Sequence, residues 1–134
     1  MLNYIQKLLK QKGMVYIMTE KELALTIAEI LDSRKAKNIK VLEVTDVTSI
    51  ADYFVICTGT SSTHIKSLSD EVEFQLEQKG IVPNHNEGVT TASWILKDYT
   101  TVIVHIFSRE ADEMYRLEHI WADAKRVEFE ETAD

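Results

Sequence analysis

The chain has a single cysteine, a single proline and no long apolar run. Cys57 alone excludes an internal disulfide or a Cys-rich zinc site, and one lone thiol suits a reducing compartment. No stretch approaches the roughly 20 consecutive apolar residues that span a bilayer. Positive charge is also short, with 15 Lys plus Arg against 22 acidic residues and a formal net charge of -7. Sequence-independent nucleic-acid binding needs Lys and Arg to neutralise phosphates. Little direct nucleic-acid contact is therefore expected, and a basic partner surface becomes the better match. What is present suffices for one domain: 134 residues, 45% of them hydrophobic, can bury a core without a covalent staple.

The charge is uneven along the chain. Residues 1–17 hold three lysines and no acid, whereas residues 18–134 hold 12 bases and 22 acids. Ile5, Leu8 and Leu9 sit at helical spacing before Gly13 interrupts, without the apolar core of a signal peptide. Residues 1–17 are expected to be a basic extension, mobile or preceding a true start at Met18. Residues 18–126 form the domain, and 127–134 an acidic, mobile tail.

Thr19 followed by Glu22 reads as a capping box, in which each side chain satisfies a free backbone N–H at a helix start. Leu23, Ile27, Ile30 and Leu31 then predict a helix to about Lys35. Val41 to Val44 is β-branched and short, a strand. Tyr53 to Cys57 is a continuous apolar run, suited to a strand buried on both faces. After the Thr58-Gly59-Thr60-Ser61-Ser62 turn, Ile65, Leu68, Val72 and Leu76 predict a second helix, with Glu71, Glu73 and Glu77 outward. Gly80 should cap it, with Pro83 just beyond. Residues 81–92 read as a loop, and strands at 93–97 and 101–107 as an antiparallel hairpin. Val102, Val104 and Ile106 share one face of the last strand, and Ile103, His105 and Phe107 the other. Ser108 opens a helix carrying Met114, Leu117, Trp121 and Ala124. This α-β-β-α-β-β-α order predicts an α/β fold, a single-domain mixed sheet flanked by helices.

The Gly59 turn has the makings of an anion site at a helix N-terminus. It lacks the second glycine and the Lys-Ser/Thr pair of a P-loop, and neither following strand has the paired carboxylates by which a nucleotidyltransferase holds divalent metal. An N-cap is the simpler reading, with a divergent nucleotidyltransferase-like, nucleotide-binding protein as the alternative. His64, His85, His105 and His119 show no metal-ligand spacing. His105, inside an apolar strand, reads as hydrogen-bonded at a sheet face. Cys57 reads as an inert buried thiol, and Trp94, opening a strand beside a long loop, as either core or an interface anchor.

Asp52-Tyr53-Phe54-Val55-Ile56-Cys57-Thr58-Gly59-Thr60-Ser61-Ser62-Thr63-His64 resembles the signature of the ribosomal silencing factor family, also called Iojap-like or RsfS. Trp94 to Tyr99, Val102 to Phe107 and Tyr115 to Trp121 match in the same order, so the resemblance spans about residues 19–126. It implies a nucleotidyltransferase-like mixed sheet without the catalytic acids, and a non-enzymatic cytoplasmic factor with no cofactor and no membrane contact. It also implies a translational repressor that binds the large ribosomal subunit through the L-fourteen protein on its intersubunit face and blocks small-subunit joining. A homodimer when free is a further implication. By position, the partner-binding residues would be Trp94, Leu96, Asp98, Tyr99, His105, Tyr115 and Glu118. The chain departs from the family pattern in having Thr100-Thr101 after Asp98-Tyr99, where Gly-Asp is usual, and Asp112 where an arginine is common. If that glycine position needs positive φ, Thr100 is strained or the turn is rebuilt.

Overall fold

The computed structural model describes residues 18–115 and 122–132, with Met114 and Tyr115 described as backbone only. The elements are α1 (Glu20–Ser33), β1 (Lys37–Glu43), β2 (Tyr53–Thr58), α2 (Ser62–Glu77), β3 (His85–Glu87), β4 (Trp94–Asp98), β5 (Val102–Phe107), α3 (Arg109–Tyr115) and β6 (Lys125–Val127). They form one mixed α/β domain around a six-stranded sheet of order β3-β4-β5-β2-β1-β6. Its two central strands, β2 and β5, run parallel, Tyr53 opposite Val102 through Thr58 opposite Phe107. All other neighbours are antiparallel.

Both central strands are buried along their whole length, which accounts for their unbroken apolar runs. Alternate residues feed two cores. Val55, Cys57, Val104 and Ile106 pack with Ile27 and Leu31 of α1 and Leu68, Val72 and Leu76 of α2. Phe54, Ile56, Ile103 and Phe107 point the other way and pack with Ala111 of α3, Trp94 and Leu96. The parity expected for β5 is therefore observed.

The helix starts follow their sequence signals. Thr19 and Glu22 close the capping box at 3.0 and 3.1 Å, and Ser61 Oγ accepts the His64 N–H at 3.0 Å. Ser108 caps α3 by accepting the Ala111 N–H at 3.1 Å. Gly80, at φ 78°, lets the Ile81 N–H turn back to the Leu76 carbonyl at 2.9 Å. In the last expected helix, Leu117 and Trp121 lie outside the described residues, as does the expected extension 1–17.

Three expectations are corrected. Strand β1 begins at Lys37 rather than Val41. His85–Glu87, expected as loop, is an edge strand on β4; its polar residues are all exposed, so no apolar pattern announces it. The expected mobile tail is the third. Lys125–Val127 pairs with Val41–Glu43 of β1, and Phe129 packs against the α1–α2 core. Beyond it the Glu131 carboxylate accepts the Ile39 N–H at 2.6 Å, and Thr132 Oγ1 donates to Asp32 at 2.9 Å. An exposed strand edge leaves unpaired N–H groups, and this acidic segment covers that of β1.

The β4–β5 turn resolves the question posed by Thr100. Its φ is 74°, a left-handed conformation that is an outlier for a β-branched residue. The conformation is held locally. The Tyr99 N–H bonds the Val102 carbonyl, the Thr101 N–H the Tyr99 carbonyl, and the Thr100 N–H the Asp98 carboxylate at 2.7 Å, while Asn84 Nδ2 donates to Thr100 Oγ1. Thr100→Gly should raise the unfolding free energy by about 1 kcal/mol, the left-handed cost less the lost side-chain bond. Urea denaturation with an unchanged m-value checks this; a stability loss would show that the Asn84 bond outweighs the strain.

Candidate functional site

The residues expected to bind a partner divide by strand parity. Trp94, Leu96 and Asp98 alternate along β4 on the sheet face opposite α1 and α2, and all three are half-buried. His105 lies on the same face, paired with Leu96, and Phe107 is paired with Trp94. Tyr99 belongs to the other parity. It is buried in the α1–α2 core with its hydroxyl inside and unpartnered among the described residues, and burial pushes its phenol pKa up. The structure does not bring Tyr99 to the face of Trp94. The Tyr115 side chain and Glu118 lie outside the described residues.

At the centre of this face four rings meet. The Trp94 and Phe107 centroids are 5.0 Å apart at 31°, and His105 stacks on Phe107 at 6.1 Å and 9°. Phe54 meets the His105 ring edge-on at 5.0 Å and 74°. The indole N–H of Trp94 donates to His105 Nδ1 at 3.2 Å. Indole nitrogen is a donor only, so His105 is neutral with its proton on Nε2. That Nε2–H is buried and has no acceptor among the described residues. Burial lowers the His105 pKa to about 4. His105 is hydrogen-bonded at the sheet face, as its position in an apolar strand suggests.

Two local devices place Trp94. Gly88, at φ 79°, brings its backbone so close that an added Cβ would lie 1.9 Å from the Trp94 carbonyl oxygen; no side chain fits there. The Ser108 N–H bonds the Ser93 carbonyl at 2.8 Å, tying the start of β4 to the cap of α3.

On the opposite face, β4 is held by a polar contact that the sequence reading missed. Lys97 is 1% exposed, and its Nζ donates to Glu73 Oε1 at 2.9 Å, Ser69 Oγ at 3.2 Å and Asn86 Oδ1 at 3.2 Å. All three ammonium protons are used, as a buried cation requires. The hydrogen bond from Lys97 holds the Glu73 carboxyl below its usual range. Glu73 is therefore turned toward the sheet rather than outward. A lysine sharing strand parity with Ile95 and Tyr99 is the signal that could have found it.

The Gly59 turn lies at the carboxyl ends of β2 and β5. It borders a cleft of about 820 Å³ whose lining includes Lys37, Thr58, Ser62, Ser93, Arg109 and Glu113. The donors at its apex are already taken. The Gly59 N–H bonds the Phe107 carbonyl and the Thr60 N–H bonds His64 Nδ1, both at 2.9 Å. With Nδ1 accepting, His64 Nε2–H donates to the Arg34 carbonyl at 2.8 Å, latching the turn to the end of α1. This favours the N-cap reading over an anion site. Cys57 is buried, and burial with the charges of Glu131 and Asp112 pushes its thiol pKa up. Among the described residues no three His, Cys, Asp or Glu are grouped to hold a metal ion, and no helix is long and apolar enough to cross a membrane.

The buried imidazole makes a pH prediction. Unfolded, His105 takes up a proton as pH falls through about 6.5; folded, it resists until about 4. Its contribution to stability is complete above pH 6.5 and is lost progressively as pH falls toward 4. His105→Leu should flatten this acid slope between about pH 6.5 and 5, measured by urea denaturation across that range. A slope that persists in the variant would assign the loss to other groups.

Residues 17–134 match the family model described as "Ribosomal silencing factor during starvation". A "Ribosomal silencing factor RsfS" of Haemophilus influenzae is 40% identical over 96 residues, covering 72% of this chain and 94% of that protein. The mouse protein "Mitochondrial assembly of ribosomal large subunit protein 1" is 26% identical over 98 residues, covering 71% of this chain and 43% of that protein. A crystal structure of a Chromobacterium violaceum protein superposes with TM-score 0.76 at 27% identity, covering 84% of this chain and 92% of that one.

Proposed function

This chain belongs to the ribosomal silencing factor family, and from that premise we propose that it is a ribosome-associated translational repressor acting in the cytoplasm. It binds the large subunit through a basic ribosomal protein on the intersubunit face, the L-fourteen protein, and prevents small-subunit joining by occupying the surface that joining requires. The action is steric and needs neither catalysis nor a cofactor. The silencing role is supported by the Haemophilus influenzae relative, a ribosomal silencing factor, and the large-subunit assignment by the mouse relative, a large-subunit assembly protein.

The observation that carries the choice of surface is the β4 row. Trp94 and Leu96 are half-buried apolar side chains on one sheet face, with the carboxylate of Asp98 next along the strand. An aromatic anchor beside an acidic rim is a pattern that fits a basic protein surface. The chain's acid excess, concentrated in residues 18–134, points the same way. Asp98 already accepts the Thr100 N–H through Oδ1, so it offers a fixed carboxylate rather than a mobile one.

The purified protein should co-sediment with large subunits and reduce their joining to small subunits; normal joining at saturating protein would sink the proposal. Trp94→Ala should weaken large-subunit binding by at least tenfold, in the range of a hot-spot residue, while circular dichroism reports a folded chain. Unfolding of that variant would instead make Trp94 a core residue.

A further inference from the structure

We propose that His105 is a positioning residue, holding the Trp94 indole in the orientation that meets the ribosome. The proposal rests on the surface assignment just made. His105 is 5% exposed, so it cannot itself form the contact surface. Its position on β5, opposite Leu96 and diagonal to Trp94, puts Nδ1 within 3.2 Å of the indole nitrogen. Stacking on Phe107 and the edge contact with Phe54 fix the plane of the imidazole. The acceptor is thus rigid, and a bond to it directs the indole N–H, with the two rings tilted at 39°. Without that bond, the indole loses an oriented contact that helps to fix its side-chain torsions. Ordering it on binding would then cost affinity.

The other nitrogen shows why an imidazole is informative here. The Nε2–H is buried without an acceptor among the described residues, an arrangement that lowers stability. An apolar side chain of similar size would fill the same space among Phe54, Phe107 and Trp94 without that cost. The buried Nε2–H is thus a cost to stability, set against the acceptor that the imidazole supplies to Trp94.

Two variants of the full chain test this. His105→Leu keeps the volume and removes the acceptor; His105→Asn keeps an acceptor near the Nδ1 position and removes the ring. The chain has two tryptophans, so two indole N–H resonances are expected in an amide–nitrogen correlation spectrum, with that of Trp94 identified by its loss in Trp94→Phe. In His105→Leu, stability at neutral pH should change little, the relieved Nε2–H offsetting the indole N–H that loses this acceptor. The Trp94 indole resonance should move upfield, and large-subunit affinity should fall by about tenfold, the loss of one oriented hydrogen bond. In His105→Asn, stability should fall while the resonance and the affinity stay nearer their original values. The two readouts should cross, which a merely structural histidine does not produce.

An unmoved indole resonance in His105→Leu, unchanged affinity, or a leucine variant that fails to fold each overturns the proposal. If the resonance moves but Trp94→Ala binds large subunits normally, the hydrogen bond stands and the surface assignment is what has failed.

Discussion

The parallel pairing of β2 with β5 is the constraint from which the architecture follows. A parallel pair needs a long crossover, and here α2 and the β3–β4 excursion supply it between Thr58 and Val102. Because both strands are buried on both faces, the sheet must be covered twice. Helices α1 and α2 provide one cover. The other includes α3 and a cluster of rings from β2, β4 and β5. The proposed recognition face is part of this second cover, so its residues serve the core and the surface at once.

That double duty explains the character of the site. His105 and Phe107 are buried, while Trp94 and Leu96, one strand nearer the edge, are only half-buried. The aromatic cluster thus runs from the middle of the sheet to its rim. On the opposite face Lys97 anchors the same strand to α2 and β3. Strand β4 is held rigidly from behind by a satisfied cation and presents its apolar residues in front. Gly88 and the Ser93–Ser108 bond set where that strand begins. A binding row on a rigid strand keeps its geometry better than one on a loop.

Of the four non-glycine residues with positive φ among the described residues, two flank this strand and two, Lys35 and Asn38, lie around the start of β1. Thr100 at the β4–β5 turn and Ala92 just before β4 both have positive φ, conformations disfavoured for residues with a Cβ. The buried Nε2–H of His105 is a third cost. The Gly59 turn is by contrast internally satisfied, its apex donors spent on Phe107 and His64. The chain belongs to the ribosomal silencing factor family, and the proposed function is one carried by a surface.

The sequence by itself determined the elements with strong local physics. The capping box at Thr19, the helical stripes of α1 and α2, the unbroken apolar runs of β2 and the alternation of β5 depend on neighbours within a few residues. The family was legible for the same reason, since its motifs are contiguous. Strand β3, strand β6 and the covering role of Glu131 were not legible, because polar edge strands are defined by the partner they pair with rather than by a pattern of their own. Only the tertiary structure decided which half of the expected site is a face. Tyr99 and Lys97 turn inward because strand residues alternate, and the direction of that alternation is set by which side the helices pack on. It also decided that His105 lies behind Trp94: a cross-strand hydrogen bond joins residues that are neighbours only after the hairpin has closed.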